Sequence, residues 1–221
     1  MAHLFLLFKN IMSDTNTLLA RKNEMTLYSG TDCVYSHGVR IVLQEKEIEC
    51  SIVYTDPLDT CEELAEINPY NETPTLADRE LILYDARIIN EYLDERLPHP
   101  PLLPVDPVSR ARLRLMLNRI DRDWVSQLEL IDEAEHKDRI RKDIYDGLIS
   151  ISPILTEQDY LLGNEYSMVD VFIAPMLWRL PFYDIRLPKQ AKVIEEYANR
   201  LFERDSFQES LSEIERDLRL V

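Results

Sequence analysis

The amino-acid sequence predicts two structural parts, a small mixed α/β domain followed by an all-α helical bundle. Residues 24–97 alternate short β-rich runs with amphipathic helical stretches. Residues 110–221 show only the helical period of about 3.6 residues. Between them, residues 98–109 hold five of the twelve prolines, which disfavour the continuation of a helix or a sheet. The boundary between the two parts is therefore predicted at this proline cluster.

The α/β part has the predicted order β-α-β-α-β-β-α, which is typical of a small sheet with helices on its faces. A polar turn at residues 77–79 separates the two strands of a hairpin. The apolar spacing of the last helix predicts an inward face, formed by Ile88, Ile89, Tyr92 and Leu93. The predicted elements are strands at 25–30 and 50–56, the hairpin at 73–85, and helices at 35–49, 61–69 and 86–97.

One segment of the helical part is apolar nearly all round, the run SMVDVFIAPMLWRL at residues 167–180. This composition predicts the buried central helix of a bundle. Ser167 and Asp170 have the spacing of an N-terminal capping box. Further helices are predicted along 113–124, 140–155, 190–203 and 207–219.

Residues 1–23 are predicted to be a disordered extension. Their apolar run, LFLLF at residues 4–8, is too short for a secretory signal or a membrane-spanning helix. Met12 and Met25 both offer alternative start sites. We expect no membrane association.

Composition narrows the classes of function. The chain has 25 basic and 41 acidic residues, a net charge of −16, which repels nucleic-acid phosphates and argues against direct nucleic-acid binding. Its four glycines cannot form a phosphate-binding glycine-rich loop. The three cysteines lack the spacing of a disulfide framework or a zinc site. We therefore expect a cytoplasmic protein with neither metal nor cofactor.

A small α/β domain followed by a helical bundle, with TPTL at 73–76 before the hairpin and S-x-x-D at 167–170, resembles the cytosolic glutathione transferase fold. The resemblance covers roughly residues 25–215. It implies a thioredoxin-like domain over residues 24–97. It also implies that the bond between Thr73 and Pro74 is cis, with the backbone of Thr73 turned toward the glutathione site.

Four longer stretches are similar to the stringent starvation protein A family, a branch of this fold. They are YSHGVRIVLQEK (35–46), YLDERLPHPPLLPV (92–105), SMVDVFIAPMLWRLP (167–181) and FERDSFQESLSEIERDLRL (202–220). The resemblance implies binding to bacterial RNA polymerase and regulation of transcription during starvation and acid stress. It also implies a homodimer, since the transferase fold usually pairs the α/β domain of one chain with the helical domain of another.

Enzymes of this fold ionise the thiol of glutathione through a Tyr, Ser or Cys near the first strand–helix turn, where this chain has Tyr28, Cys33 and Ser36. An acidic residue followed by Ser usually binds the γ-glutamyl group, but here the pair is Asp85–Ala86, without the hydroxyl. The site is interpreted as vestigial, formed by Cys33, Ser36, Thr73, Pro74 and Asp85. We therefore expect no glutathione transferase activity.

An alternative interpretation is a glutathione-dependent thiol transferase that uses Cys33. The helix predicted to begin beside Cys33 would lower the pKa of its thiol and favour a nucleophilic thiolate. Val34 stands where thiol-transferring members have proline, and no second cysteine follows at position 36. A structural role for Cys33 in the turn is the competing explanation.

The proline cluster has two interpretations. Pro98, His99, Pro100 and Pro101 could form a rigid surface that binds RNA polymerase, because a proline-rich run stays extended at the surface and loses little entropy on binding. The prolines could instead stiffen the link between domains.

His37 and the arginines between 110 and 122 are predicted to have structural roles. His37, in the first turn of its helix, has no nucleophilic or acidic partner spaced to orient it, so a packing or hydrogen-bonding role is predicted. The five arginines between 110 and 122 form a basic band with which Asp121 and Asp123 interleave. They are predicted to form a solvated helix face with salt bridges to the other domain.

Overall fold

The computed structural model of the protein describes residues 24–56, 61–131, 135–188 and 191–219. The predicted disordered extension, residues 1–23, lies outside the described residues. The α/β part contains a four-stranded sheet in the order β2-β1-β3-β4. β1 pairs with β2 in parallel and with β3 antiparallel, and β3 and β4 form an antiparallel hairpin. The strands are β1 (Thr26–Gly30), β2 (Ser51–Thr55), β3 (Thr75–Asp78) and β4 (Leu81–Tyr84).

The sheet is covered on both faces. In β1 the side chain of Leu27 joins the main hydrophobic core, and that of Tyr28 packs with Leu64 and Ile67 on the opposite face. This alternation follows from the two-residue period of a strand, and all five residues of β1 are buried because it is a central strand. The helices of this part are α1 (Val34–Glu45), α2 (Glu62–Ile67) and α3 (Ala86–Arg96).

The predicted order of elements in the α/β part is confirmed, with two local corrections. The hairpin turn lies at residues 79–80 rather than 77–79, and Arg79 adopts a left-handed backbone conformation with φ of 57°. On α3, Ile89 and Leu93 are buried as predicted, but Ile88 is 54% exposed. Ile88 lies at the edge of the buried face, beside a surface cavity that it helps to line.

The helical part contains more helices than the sequence predicted, because two of the predicted helices are each divided in two. The predicted helix at 140–155 is divided at Ile151, since Pro153 begins a new helix. The predicted helix at 207–219 is also two helices, because Leu211 is extended and Ser212 caps the second. The elements are α4 (Pro107–Ile120), a π-helical turn (Asp121–Val125), α5 (Ser126–Glu129), α6 (Lys137–Ser150), α7 (Ser152–Glu157), α8 (Met168–Arg179), α9 (Lys192–Phe202), α10 (Asp205–Ser210) and α11 (Glu213–Asp217).

The predicted central helix, α8, is almost completely buried and begins with the predicted capping box. Asp170 accepts hydrogen bonds from the backbone N–H of Ser167 (2.8 Å) and of Leu161 (3.2 Å), and from the hydroxyl of Tyr197 (2.7 Å). One carboxylate thus fixes the start of α8, the loop before it and helix α9. Such a fully satisfied carboxylate is the usual condition for burying a charge.

The two parts share one continuous core. Residues of α1 such as Val39 and Ile41 belong to the same buried cluster as Val171 and Leu177 of α8. The connection between α3 and α4, residues 97–106, contains neither helix nor strand. The assignment of residues 98–109 as the domain boundary stays a prediction. No helix within the described ranges is long and apolar enough to cross a membrane.

Candidate functional site

The first candidate site is the proline segment, residues 98–101. All four of its residues, Pro98, His99, Pro100 and Pro101, are exposed, and the bond between His99 and Pro100 is cis. Two apolar side chains close by in sequence are also exposed, Leu97 by 41% and Val105 by 89%. The segment is thus an apolar strip of surface with one polar side chain, that of His99.

A buried lysine holds the backbone of the segment. Lys46 follows directly after α1, and its side chain is fully buried. Its ammonium group donates to the carbonyl oxygens of Leu97 (2.8 Å) and Pro100, and lies 2.5 Å from the carboxylate of Asp94. These three contacts match the three donors of an ammonium group. The two carbonyls flank Pro98 and His99, so Lys46 fixes the position of the exposed residues between them.

Asp94 and Leu102 secure the other end of the segment. The carboxylate of Asp94 accepts hydrogen bonds from the backbone N–H of Leu102 (2.9 Å) and of Leu103 (3.1 Å), and both leucine side chains are buried. The carbonyl of Leu102 accepts a hydrogen bond from the N–H of Met168 at the start of α8 (2.9 Å). The segment is therefore fixed to α3 on one side and to the central helix on the other.

The second candidate site is a surface cavity of about 480 Å³ beside the N-terminus of α3. Thr73, Pro74 and Asp85 meet there, and the bond between Thr73 and Pro74 is cis, which confirms the expectation drawn from the resemblance. Cys33 and Ser36 do not line this cavity. The lining residues are Tyr35, Tyr70, Glu72, Thr73, Pro74, Tyr84, Asp85, Ala86, Arg87, Ile88 and Asp121.

Cys33 lies behind the cavity as the N-cap residue of α1. Its Sγ is 4.0 Å from the carbonyl oxygen of Thr73 and accepts a hydrogen bond from the N–H of Ser36 (3.4 Å). Gly30 permits this packing, because a Cβ there would lie 2.7 Å from the Cβ of Cys33. Burial raises the pKa of the Cys33 thiol despite the hydrogen bonds from Ser36. The expectation that the helix start lowers this pKa is therefore wrong, since loss of solvation outweighs it.

The other two candidate hydroxyl groups also lie away from the cavity. Ser36 is fully buried, and its hydroxyl accepts a hydrogen bond from the N–H of Gly30 (3.1 Å). Tyr28 lies on the opposite face of the sheet and donates to Glu63 (3.2 Å). Burial and the neighbouring Glu63 raise the pKa of Tyr28 to about 12. Neither hydroxyl group is placed to ionise a thiol bound in the cavity.

Asp85 has internal partners in this cavity. Its carboxylate caps α3 by accepting a hydrogen bond from the N–H of Arg87 (2.9 Å), and it also pairs with the Arg87 guanidinium (3.1 Å). A third contact joins that guanidinium to Asp121 at 3.4 Å. Partial burial pushes the pKa of Asp85 upward, but the hydrogen bonds from Arg87 outweigh it and hold the pKa below its usual value. Asp85 is therefore the N-cap residue of α3, and its carboxylate is occupied by internal contacts.

Comparison with known proteins agrees with this architecture. Residues 27–101 match the glutathione S-transferase N-terminal domain, and residues 134–200 match the C-terminal domain. A stringent starvation protein A homolog of Coxiella burnetii is 44% identical over 206 residues, which are 92% of this chain and 99% of that protein. The homolog of Pasteurella multocida is 43% identical over 194 residues, 86% of this chain and 92% of its own. The chain belongs to the stringent starvation protein A family.

Solved structures show the same fold. Glutathione transferase Omega 3C of Trametes versicolor superposes with a TM-score of 0.76 at 25% identity, covering 89% of this chain and 88% of its own. The fold of this stringent starvation protein A family member is thus that of a glutathione transferase, with an α/β domain and a helical domain as predicted.

A buried ion network, which sequence reasoning missed, joins the α/β part of this family member to its C-terminal helices. The carboxylate of Glu215 lies 2.5 Å from Arg40 of α1 and 2.5 Å from Arg179 at the end of α8. All three side chains are at most 1% exposed. Arg179 also pairs with Asp32 at 3.1 Å, next to Cys33. The network fixes the turn before α1 against the helical part.

His37 belongs to the same network, which confirms its predicted packing and hydrogen-bonding role. Its Nε2 contacts the hydroxyl of Ser210 at 3.0 Å, and its Nδ1 contacts the guanidinium of Arg179 at 3.2 Å. The guanidinium can only donate, so Nδ1 accepts and the proton resides on Nε2. Burial, together with Arg179 and Arg40, holds the pKa of His37 well below its ordinary value. The imidazole is therefore neutral.

Two arginines of α4 form the predicted salt bridges to the α/β part. Arg114 pairs with Glu91 of α3 at 2.6 Å, and Arg110 lies 3.6 Å from Glu95 of the same helix. These pairs are exposed, so each contributes at most about 1 kcal/mol. The interpretation of this band as a solvated face is confirmed for these two residues.

Proposed function

We propose that the protein is an RNA polymerase-associated regulator of transcription during starvation and acid stress, and that Pro98, His99, Pro100 and Pro101 form its contact surface. The observation that supports this most is the exposed proline segment held from below by the buried Lys46. The names of the relatives support the same proposal, because they are stringent starvation protein A homologs.

The physical properties of the segment suit protein recognition. Proline rings offer apolar contact area, and His99 adds a group that can donate or accept a hydrogen bond. A segment that is already ordered loses little conformational entropy when a partner binds. The net charge of −16 favours approach to a basic surface of the polymerase and disfavours direct contact with nucleic acid.

We further propose that the protein has no glutathione transferase activity. The raised pKa of Cys33 keeps its thiol protonated at neutral pH, and thiolate is the nucleophilic form. Ala86 supplies no hydroxyl where the fold usually binds the γ-glutamyl group. Asp85 is already paired with Arg87, so binding of a ligand's ammonium group there would compete with an internal salt bridge.

One observation favours the alternative of a glutathione-dependent thiol transferase. Cys33 caps α1 and lies 4.0 Å from the carbonyl of Thr73, beside the cis bond to Pro74. Cys33 is partly exposed, and its thiol lies close to that backbone. Turnover of a standard electrophile that disappears in Cys33→Ser would favour this alternative over the regulator.

A homodimer and a cytoplasmic location are part of the proposal. Exposed apolar side chains suit an interface, and two of them lie on neighbouring helices, Ile88 on α3 and Leu115 on α4. Salt bridges such as that between Glu91 and Arg114 hold these helices together. A two-fold dimer would carry two copies of the proline segment.

The experiment for this function is co-purification of bacterial RNA polymerase with the protein and its variants. The test variant changes Pro98, His99 and Pro100 to alanine, and the control is Pro153→Ala, which removes an exposed proline at the start of α7. Polymerase binding is expected to be lost in the test variant and retained in the control. Equal retention in both would contradict the proposed contact surface.

A further inference from the structure

The charged groups that line the cavity beside α3 are mostly acidic. Three carboxylates line it, those of Glu72, Asp85 and Asp121, against one guanidinium, that of Arg87. Arg87 pairs with Asp85 and Asp121. For Glu72, the described part of the chain offers no ion-pair partner. The walls of the cavity are therefore net negative, within a chain of net charge −16.

Aromatic rings supply much of the remaining wall. Tyr70 and Tyr84 meet edge to face with their ring centroids 5.6 Å apart, and Tyr70 is 47% exposed. On the other side of the cavity, the hydroxyl of Tyr35 donates to Asp121 (2.6 Å), which leaves its ring as part of the lining. Aromatic faces attract cations through the ring quadrupole, and the attraction adds to that of nearby carboxylates.

Arg87 already shows what kind of group fits between these walls. Its guanidinium lies 3.1 Å from Asp85 and 3.4 Å from Asp121, and its side chain is 39% exposed, so it bridges the two carboxylates at the surface of the cavity. The chain thus places one of its own cations in the part of the cavity nearest α3. The volume of about 480 Å³ leaves room beyond it, along Tyr70, Tyr84 and Glu72.

Glutathione does not suit these walls. At neutral pH it carries two carboxylates and one ammonium group, so its net charge has the same sign as that of the cavity. Like charges in proximity lower affinity, whereas a cation would be attracted both at long range and on contact. The hydroxyl normally used for the γ-glutamyl group is also missing at Ala86.

We propose that the cavity beside α3 binds a small organic cation, an alkylamine or guanidinium compound of the polyamine class. One ammonium group of the ligand pairs with Glu72, and its alkyl chain lies against Tyr70 and Tyr84. This binding site is separate from the proline segment, so its failure would leave the proposed polymerase contact unaffected. Asp85 and Asp121 stay paired with Arg87, and the ligand lies in the part of the cavity beyond them.

The test uses spermidine as the probe and the full chain as the protein. Calorimetric titration at near-physiological ionic strength is expected to show saturable binding with one site per chain, and glutathione is expected to give no heat of binding. Amide chemical shifts measured in parallel are expected to change at residues 70–73 and 84–88. Titration with magnesium chloride at matched ionic strength reports non-specific attraction to the acidic surface.

Three variants and one control distinguish binding in the cavity from non-specific attraction to the acidic surface. Glu72→Gln and Tyr70→Leu are each expected to weaken spermidine binding about two- to five-fold, the effect of one exposed ionic or cation–π contact. Glu157→Gln, which removes one exposed charge from α7, is the matched control and is expected to bind normally. Arg87→Gln is expected to strengthen binding, because it frees two carboxylates. No saturable binding, or equal weakening in Glu72→Gln and Glu157→Gln, would overturn the proposal.

Discussion

The ammonium group of Lys46 lies 2.5 Å from the carboxylate of Asp94, and the two side chains are 0% and 7% exposed. This buried pair lies directly beneath the proline segment. Lys46 donates to the carbonyls of Leu97 and Pro100, and Asp94 accepts from the N–H groups of Leu102 and Leu103. Together they fix the backbone on both sides of the exposed residues.

Replacing Lys46 with methionine is expected to destabilise the protein by roughly 3 kcal/mol. The change leaves the buried carboxylate of Asp94 without its cation, and breaking a buried pair from one side typically costs about 3–5 kcal/mol. The two backbone hydrogen bonds to Asp94 place the effect at the low end. For a chain of this size the melting temperature is expected to fall by roughly 6–12 °C in a thermal unfolding scan.

A double-mutant cycle with Asp94→Asn shows whether the loss belongs to the pair. The double variant is expected to be less destabilised than the sum of the two single variants, because each single variant leaves one charged partner buried. Additive effects would show that Lys46 and Asp94 stabilise the fold independently.

Cys33 is expected to react slowly with iodoacetamide at neutral pH. Burial raises the pKa of its thiol in the folded protein, so the reactive thiolate is scarce near pH 7 and increases only at alkaline pH. The measurement is the alkylation rate against pH in a variant with Cys50→Ser and Cys61→Ser, which retains only Cys33. Half-maximal reactivity near or below pH 7 would contradict the structure and favour the thiol transferase.

His37 is expected to lower folding stability as the pH falls below about 6.5, whereas Glu129, whose pKa burial raises to about 7, acts in the opposite direction over the same range. The pKa of His37 is far below its ordinary value in the folded state, so the unfolded chain binds a proton that the folded chain does not. The stabilisation is complete above the unfolded pKa of about 6.5 and is lost with a limiting slope of about 1.4 kcal/mol per pH unit. Urea unfolding between pH 7 and pH 5 measures the total slope, so the contribution of His37 is the difference in slope between the wild type and His37→Gln. The slope is expected to be lower in His37→Gln, and an unchanged slope would exclude His37 as a cause.

The protein is expected to be a two-fold dimer at micromolar concentration, with twice the 26.0 kDa mass of the chain. Light scattering coupled to size-exclusion chromatography measures this mass directly. An exposed apolar side chain on α4, that of Leu115, is a candidate for the interface. Replacing it with glutamate is expected to weaken the dimer, and the same change at Ile154 on α7 serves as the control. A mass of 26.0 kDa for the unmodified protein would contradict the prediction.

Local patterns in the sequence predicted most of the fold. The β-rich run of β1 and the capping box of α8 depend on residues that are neighbours in sequence, so both could be predicted without coordinates. Ile88 shows the limit of this approach, because an apolar residue at the edge of a helix face can line a surface cavity instead of the core.

The long-range polar contacts could not be predicted. Arg40 and Glu215 are 175 residues apart in sequence, and nothing in the sequence around either indicates the pairing. The same is true of Lys46, whose contacts with Leu97 and Pro100 span 51 and 54 residues. The sequence shows that a helix begins beside Cys33, but it does not show that the thiol loses solvation there. The direction of the pKa shift of Cys33 was therefore predicted wrongly.

The most direct test of the account is the affinity of the purified protein for RNA polymerase holoenzyme, measured for the wild type and for the variant with Pro98, His99 and Pro100 changed to alanine. The account predicts that the variant keeps its oligomeric state and a nearly unchanged melting temperature, while its affinity falls at least ten-fold, the equivalent of about 1.4 kcal/mol. Wild-type affinity in the variant, accompanied by a lowered melting temperature, would contradict the account and show that the prolines only stiffen the link between the domains.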